Sequence, residues 1–167
     1  MLGVVSKINP LVILRRHFGT FGDAERNGKW MDVVLFYILP VCVGLFVWQS
    51  GRRFDVGRCA DAAVNVLAIF IPLAFSVLVE LMSMMKSDAA KDGSPVKTLA
   101  GDLYWNVSYG ILAATVALCA LLAVDFLGIA RGNAFAGAFA AAALHFLLTA
   151  LMVCKRFAKL MDPVRPK

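Results

Sequence analysis

The stretch AAVNVLAIFIPLAFSVLVELMSMM, residues 62–85, decides the fold of this chain. It is long enough to cross the hydrocarbon core of a bilayer, which takes roughly 20 mostly apolar residues. At about 100° per residue, its polar side chains and its proline fall within about 80° of one another on a helical wheel. These residues are Asn65, Pro72, Ser76, Glu80 and Ser83. Because a polar stripe on a membrane helix faces protein or water rather than lipid tails, we predict that it lines a path, or the seam between subunits around a path.

The rest of the chain has the composition of a membrane protein. Of its 167 residues, 60% are hydrophobic, against roughly 45–50% in soluble domains. The mean hydropathy is +0.76. Charged residues are absent from four long stretches, which are 33–51, 62–79, 103–124 and 132–154. These features predict an all-α integral membrane protein, with a transmembrane domain at 32–160 and spans at about 33–49, 62–85, 103–127 and 134–154. With no soluble domain, the chain must associate to enclose a path, so we expect a symmetric homo-oligomer.

The N-terminal segment, residues 1–31, carries a short amphipathic pattern. Asn9 and Pro10 are typical of a helix start, and an apolar run from Leu11 to Leu14 precedes Arg15, Arg16 and His17. We expect a short helix at the membrane surface with its basic side chains toward the headgroups. An anchor is the favoured interpretation, and a docking surface for a cytosolic protein or messenger is the alternative.

Basic residues are distributed unevenly about the spans. Thirteen Lys and Arg lie in the N-terminal segment, the middle loop and the C-terminal end, and four lie in the other two loops. The positive-inside rule then places both termini, including the basic tail at 161–167, in the cytoplasm. This topology is our first explanation of the net charge of +6, and the binding of anionic headgroups or a phosphorylated ligand is the second.

Both early spans contain a proline near the middle. Pro40 frees the carbonyl of Phe36 from its helical hydrogen bond, and Pro72 frees that of Ala68. We expect Ser76 to help satisfy the carbonyl freed by Pro72. Kinked packing is the default interpretation of these prolines, and a hinge for a gate is the alternative.

Span 4 begins with small residues and carries a histidine near its middle. Eight of the ten residues 134–143 are Ala or Gly, which lets helix backbones approach closely. His145 and Thr149 follow on one face. His145 is either a gate, a proton-sensitive switch or a constriction, or else a neutral histidine bonded to a neighbouring helix. Glu80 is equally open between an acidic ring at the inner mouth of a pore and an interfacial carboxylate paired with Lys86 or another helix.

No catalytic or metal-binding motif is present. The chain has no GxSxG, HExxH or Walker loop, and its four cysteines form no CxxC. We therefore predict no enzyme, no metal and no cofactor, and we interpret the cysteines as small apolar side chains in helix packing.

Three segments carry a resemblance to a known group of proteins. They are the lead NPLVILRRHFGTFGDAERNGKWMD, the proline-interrupted FYILP, and the final LHFLLTALMVCKRFAKLMD. In this order the chain resembles the small membrane effectors of bacterial antiphage defence, namely the membrane subunit of the Kiwa system and messenger-gated channel effectors. The resemblance covers about a third of the chain. It implies a homo-oligomer in the bacterial inner membrane, often a tetramer, which a cytosolic defence protein or an anionic nucleotide messenger opens to depolarise the cell. The basic residues that it implies as a contact surface are Arg15, Arg16, Arg26, Lys29, Lys155 and Arg156.

Three functions are therefore open. The favoured one is an oligomeric ion-conducting effector, with Asn65, Pro72, Ser76, Glu80, Ser83, His145 and Thr149 as pore-lining or gate residues. The second is a non-conducting scaffold that recruits a cytosolic defence partner through its basic ends. The third is a small carrier or a holin-like protein.

Overall fold

A computed structural model describes residues 10–20, 28–50, 56–86, 95–128 and 132–161. All regular structure in these ranges is helical. The helices are α1 (Pro10–Gly19), α2 (Gly28–Val33), α3 (Leu39–Ser50), α4 (Val56–Lys86), α5 (Pro95–Phe126) and α6 (Asn133–Met161), and a π-helical turn at Val34–Ile38 joins α2 to α3.

Four helical segments are long and apolar enough to cross a membrane, as the sequence predicts. They are Trp30–Ser50, Gly57–Lys86, Val96–Phe126 and Asn133–Leu160. The second and third begin several residues before the predicted spans, because their helices continue past the apolar stretch into polar sequence. Within the described residues, the length and composition of these four segments indicate a multi-pass membrane protein. A short helix, α1, precedes the first span.

Helix α5 packs against three other helices, α1, α4 and α6. α4 packs against α5, α5 packs against α6, and α6 packs on its other side against α3. Neighbours in this arrangement are antiparallel, since Leu81 near the end of α4 packs with Leu103 near the start of the apolar part of α5. Of the apolar spanning stretch of α5, 39% is buried, whereas only 11% of that of α4 is buried. Helix α4 therefore lies at an edge of the bundle, and most of its surface is open.

A seven-residue repeat of small and large apolar residues fixes α4 against α5. Its members are Ala60, Leu67, Ala74 and Leu81, all buried. Residues seven apart lie on one side of a helix, within about 20° per repeat. Leu81 is 1% exposed and packs with Ala100, Leu103 and Val107. The interior of α4–α5 is therefore filled by side chains.

α3 and α6 touch backbone to backbone at two glycines. A Cβ atom at Gly44 would lie 2.6 Å from the carbonyl oxygen of Gly137, and one at Gly137 would lie 2.6 Å from that of Gly44. Such distances leave no room for any side chain. The small residues at the start of α6 thus allow the close approach that the sequence predicts, and their partner is α3.

Hydroxyl groups of the spans bond to carbonyls of their own helices, and the thiol groups lie on the outer surface. Ser76 donates to the carbonyl of Pro72, at 3.2 Å, and not to that of Ala68. Ser108 and Thr115 of α5 also donate to carbonyls of their own helix, those of Tyr104 and Ile111. All four cysteines are exposed on the surface of the chain, so none of them is buried within its own bundle.

Candidate functional site

The polar stripe of α4 lies on the outer surface of the chain. Asn65, Pro72, Ser76, Glu80 and Ser83 are all exposed. On the helical wheel, the centre of their arc lies about 180° from the buried repeat of α4, so the polar and the buried residues are on opposite sides of the helix. The stripe is therefore the part of α4 that lies farthest from its own bundle.

Two residues of this stripe require polar surroundings most strongly. Ser76 satisfies its hydroxyl within the helix by its bond to Pro72, so it tolerates lipid. Asn65 and Glu80 have larger polar groups, and neither group makes such a bond to a carbonyl of α4 among the described residues. A carboxylate at bilayer depth costs up to about 3 kcal/mol on insertion scales, and less near an interface, which Glu80 approaches six residues before the end of α4.

His145 is held inside the chain by two hydrogen bonds. Its Nδ1 lies 2.7 Å from the carbonyl oxygen of Phe36, and its Nε2 lies 2.7 Å from the hydroxyl of Tyr109. Since the carbonyl can only accept, Nδ1 carries the proton, and in the neutral ring Nε2 accepts from the Tyr109 hydroxyl. Pro40 has no N–H group to donate to the carbonyl of Phe36, four residues before it, and the histidine in α6 donates to this same carbonyl.

The residues predicted to line a pore or form a gate therefore lie in two separate places, on the outer face of α4 and inside the bundle on α6. Thr149 is buried and donates to the carbonyl of His145 within α6, at 2.9 Å. His145 and Thr149 face the junction of α5, α6 and the π-helical turn, whereas the stripe of α4 faces outward. The structure does not bring them together into one lining.

A second polar cluster, whose pairing no pattern in the sequence predicts, joins α1 to α5. His17 is 1% exposed and its Nδ1 lies 2.8 Å from Oδ1 of Asn106, which is completely buried. Thr20 donates its hydroxyl to the same oxygen, at 3.0 Å, or to the carbonyl of His17, at 2.7 Å. The His17 ring also stacks on that of Tyr109. The prediction that His17 joins the headgroup-facing basic surface of α1 is wrong, since it points into the bundle.

Arg156 of α6 completes this cluster, which we call the α1 junction: His17, Thr20, Asn106, Tyr109 and Arg156. One guanidinium nitrogen of Arg156 donates to the carbonyl of Thr20, at 2.7 Å. Its other terminal nitrogen and the amide nitrogen of Asn106 are buried with no hydrogen-bond partner among the described residues. Burial lowers the pKa of His17 from 6.5 to about 4. The hydrogen bond to Asn106 opposes this change, and electrostatic repulsion from His145 and Arg156 adds to it.

The other predicted basic contacts have mixed positions. Arg15, Arg16 and Lys155 are exposed, whereas Arg156 points inward to the α1 junction. Arg26 lies outside the described residues, and Lys29 is described only as part of α2. Arg16 lies over the ring of Trp105, 5.7 Å from its centroid.

A signal for the α1 junction exists in the sequence. Asn106 lies in the uncharged stretch that begins at Leu103, and Tyr109 follows it by three residues, on nearly the same side of a helix. Polar groups at that depth need partners, and a histidine in the amphipathic lead is one candidate. The pairing itself joins residues 89 positions apart, so only the tertiary structure reveals it.

No protein-family model, curated protein or solved structure matches this chain.

Proposed function

We propose that this chain is one subunit of a homo-oligomeric membrane pore in which α4 of each copy faces a water-filled lumen. The observation that supports the proposal is the position of the polar stripe, opposite the face by which α4 packs on α5. A single chain leaves Asn65 and Glu80 facing lipid. A ring of copies that meet around α4 would place them in water or against one another.

The interior of one chain favours the same assembly. Leu81, Leu103 and Ala114 fill the space between α4 and α5, each with at most 1% of its surface exposed. A path through one chain would have to open this core. A path between copies needs only the outer face of α4, which is already exposed.

We further propose that the pore is shut at rest and opens in response to a cytosolic signal. The resemblance to antiphage effectors favours a tetramer in the bacterial inner membrane that depolarises the cell when a defence protein or an anionic nucleotide messenger acts on its basic face. Arg15, Arg16 and Lys155 are exposed and are available for such a contact.

Planar-bilayer recording of the purified protein, with its subunit number determined, tests the proposal. Glu80→Leu and Asn65→Leu should abolish or strongly reduce conductance, and Ser76→Leu should reduce it by a smaller amount. Phe75→Leu is the control, since Phe75 is 53% exposed on α4 but lies outside the polar arc. Equal currents from the wild type and the Glu80 and Asn65 variants would remove the basis of the proposal.

The second candidate is a non-conducting scaffold that holds a cytosolic partner. The observation that favours it is the exposure of Arg15, Arg16 and Lys155. It predicts that charge reversal at these three residues abolishes function in cells, while substitutions in the stripe of α4 are tolerated.

A further inference from the structure

A cleft of about 730 Å³ separates α1 from the first turns of α5. Its volume lies within the range of small-molecule sites, roughly 300–1,000 Å³, so it accommodates more than a single small ion. Arg15 and Arg16 line it from α1, and Lys97, Thr98, Asp102 and Trp105 line it from α5. The cleft adjoins the α1 junction through Thr20, which also lines it.

The charge of the cleft selects the kind of ligand. Among the described residues that line the cleft, three cations and one carboxylate, that of Asp102, sum to a net charge of +2. Two of the cations are guanidinium groups, whose planar donor forks match the oxygens of a phosphate. The contact of Arg16 with Trp105 holds one of these groups at the cleft wall, which limits the side-chain entropy lost on binding.

The surroundings of the cleft are amphipathic. Trp105 lies where the uncharged part of α5 begins, which is a usual position for an aromatic residue at a membrane interface. On α1, Leu11 is 69% exposed and Val12, which also lines the cleft, is 45% exposed. A charged group in the cleft would thus have apolar surface beside it, as the headgroup of a phospholipid requires.

We propose that this cleft binds a phosphate-bearing anion, with Arg15, Arg16 and Lys97 as the groups that contact the phosphate. The phosphate belongs either to the headgroup of an anionic phospholipid or to a soluble phosphate compound. Because the ligand would contact both α1 and α5, binding also holds α1 on the bundle. The proposal does not depend on ion conduction, and its test measures binding alone.

The test uses the full-length protein and two phosphate probes. In the first arm, native mass spectrometry measures the retention of phosphatidylglycerol against phosphatidylcholine with the same acyl chains. In the second arm, isothermal titration calorimetry measures the binding of inorganic pyrophosphate to protein in nanodiscs of phosphatidylcholine. The cleft variants are Arg15→Gln with Arg16→Gln, and Lys97→Gln. The control is Lys86→Gln with Lys159→Gln, which removes two exposed charges, one of α4 and one of α6, outside the cleft.

We expect at least one probe to bind the wild type and the control alike, and to bind both cleft variants at least tenfold more weakly. Preferential retention of phosphatidylglycerol identifies a lipid headgroup as the source of the phosphate, and binding of pyrophosphate identifies a soluble one. The proposal is overturned if neither probe binds, or if the control loses as much affinity as the cleft variants, since the effect is then one of net charge. Circular dichroism of each variant establishes that the helices are retained.

Discussion

The ring of His17 lies parallel to the ring of Tyr109, with their centroids 3.8 Å apart and an angle of 7° between their planes. The same tyrosine bonds through its hydroxyl to His145 of α6. One residue of α5 is thereby in contact with the helix that precedes the spans and with the last span. The position of α1 and the packing of α5 on α6 therefore both depend on the side chain of Tyr109.

The first prediction is that acid releases α1 from the bundle. Burial keeps His17 neutral down to about pH 4, whereas a released His17 takes up a proton below about pH 6.5. The docked state is thus fully stable above pH 6.5 and loses stability as the pH falls toward 4, by a total on the order of 3 kcal/mol. Double electron–electron resonance measures the release as a change in the distance between spin labels at the exposed residues Leu11 and Val96, in a cysteine-free background.

The control for this prediction is His17→Phe, which keeps a flat ring against Tyr109 and cannot take up a proton. Its label distances should be independent of pH between 6.5 and 4. His145 and Arg156 also lie close enough to influence this site. If the phenylalanine variant shows the same acid transition as the wild type, a group other than His17 is responsible.

The second prediction concerns the two hydrogen bonds of His145. His145→Ala leaves the carbonyl of Phe36 and the hydroxyl of Tyr109 without these bonds, so it should lower the free energy of unfolding by roughly 2–4 kcal/mol. Tyr109→Phe removes one of the two and should cost less. Denaturant unfolding in detergent micelles, followed by circular dichroism, gives both values.

Leu147→Ala is the comparison on the same helix, since Leu147 is 54% exposed. We expect its effect to be within about 0.5 kcal/mol of zero. A His145→Ala variant as stable as this one would contradict a structural role for the histidine in a single chain.

The third prediction separates two kinds of helical glycine. Gly44→Ala and Gly137→Ala each place a methyl group 2.6 Å from a carbonyl oxygen of the opposite helix, so α3 and α6 must separate, at a cost of roughly 1–3 kcal/mol. Gly110→Ala places its methyl group 3.8 Å from the ring of Phe70, an ordinary contact. That variant should be neutral or more stable by about 0.5–1 kcal/mol, because alanine favours the helix. Thermal unfolding of the three variants in one detergent should give this order.

The fourth prediction is that Arg156 holds α1 without stabilising the spans. Arg156→Gln removes the charged donor to the carbonyl of Thr20, a class of bond that contributes roughly 1.5–3 kcal/mol. The population of released α1 should therefore rise about tenfold or more at neutral pH, as measured by the same spin labels, while the unfolding midpoint of the bundle stays near that of the wild type. Lys155→Gln, at the exposed neighbouring position, should change neither quantity.

The sequence by itself determined the number of spans, the order of the helices and which face of α4 is polar. These properties follow from local quantities: the length of an apolar run, the period of a helix and the hydrogen bond that a proline cannot make. The same local chemistry identified Phe36 as a carbonyl in need of a donor and the start of α6 as a place of close packing.

Only the tertiary structure decided which partners meet. It assigned His145 to Phe36 and Tyr109, paired Gly44 with Gly137, and turned His17 inward to Asn106. Each of these pairs joins residues far apart in the chain, and many pairings of four apolar helices satisfy the same hydrophobic pattern. The choice among them depends on where backbones can touch and where each buried polar group finds its complement, and no periodicity along the sequence contains that information.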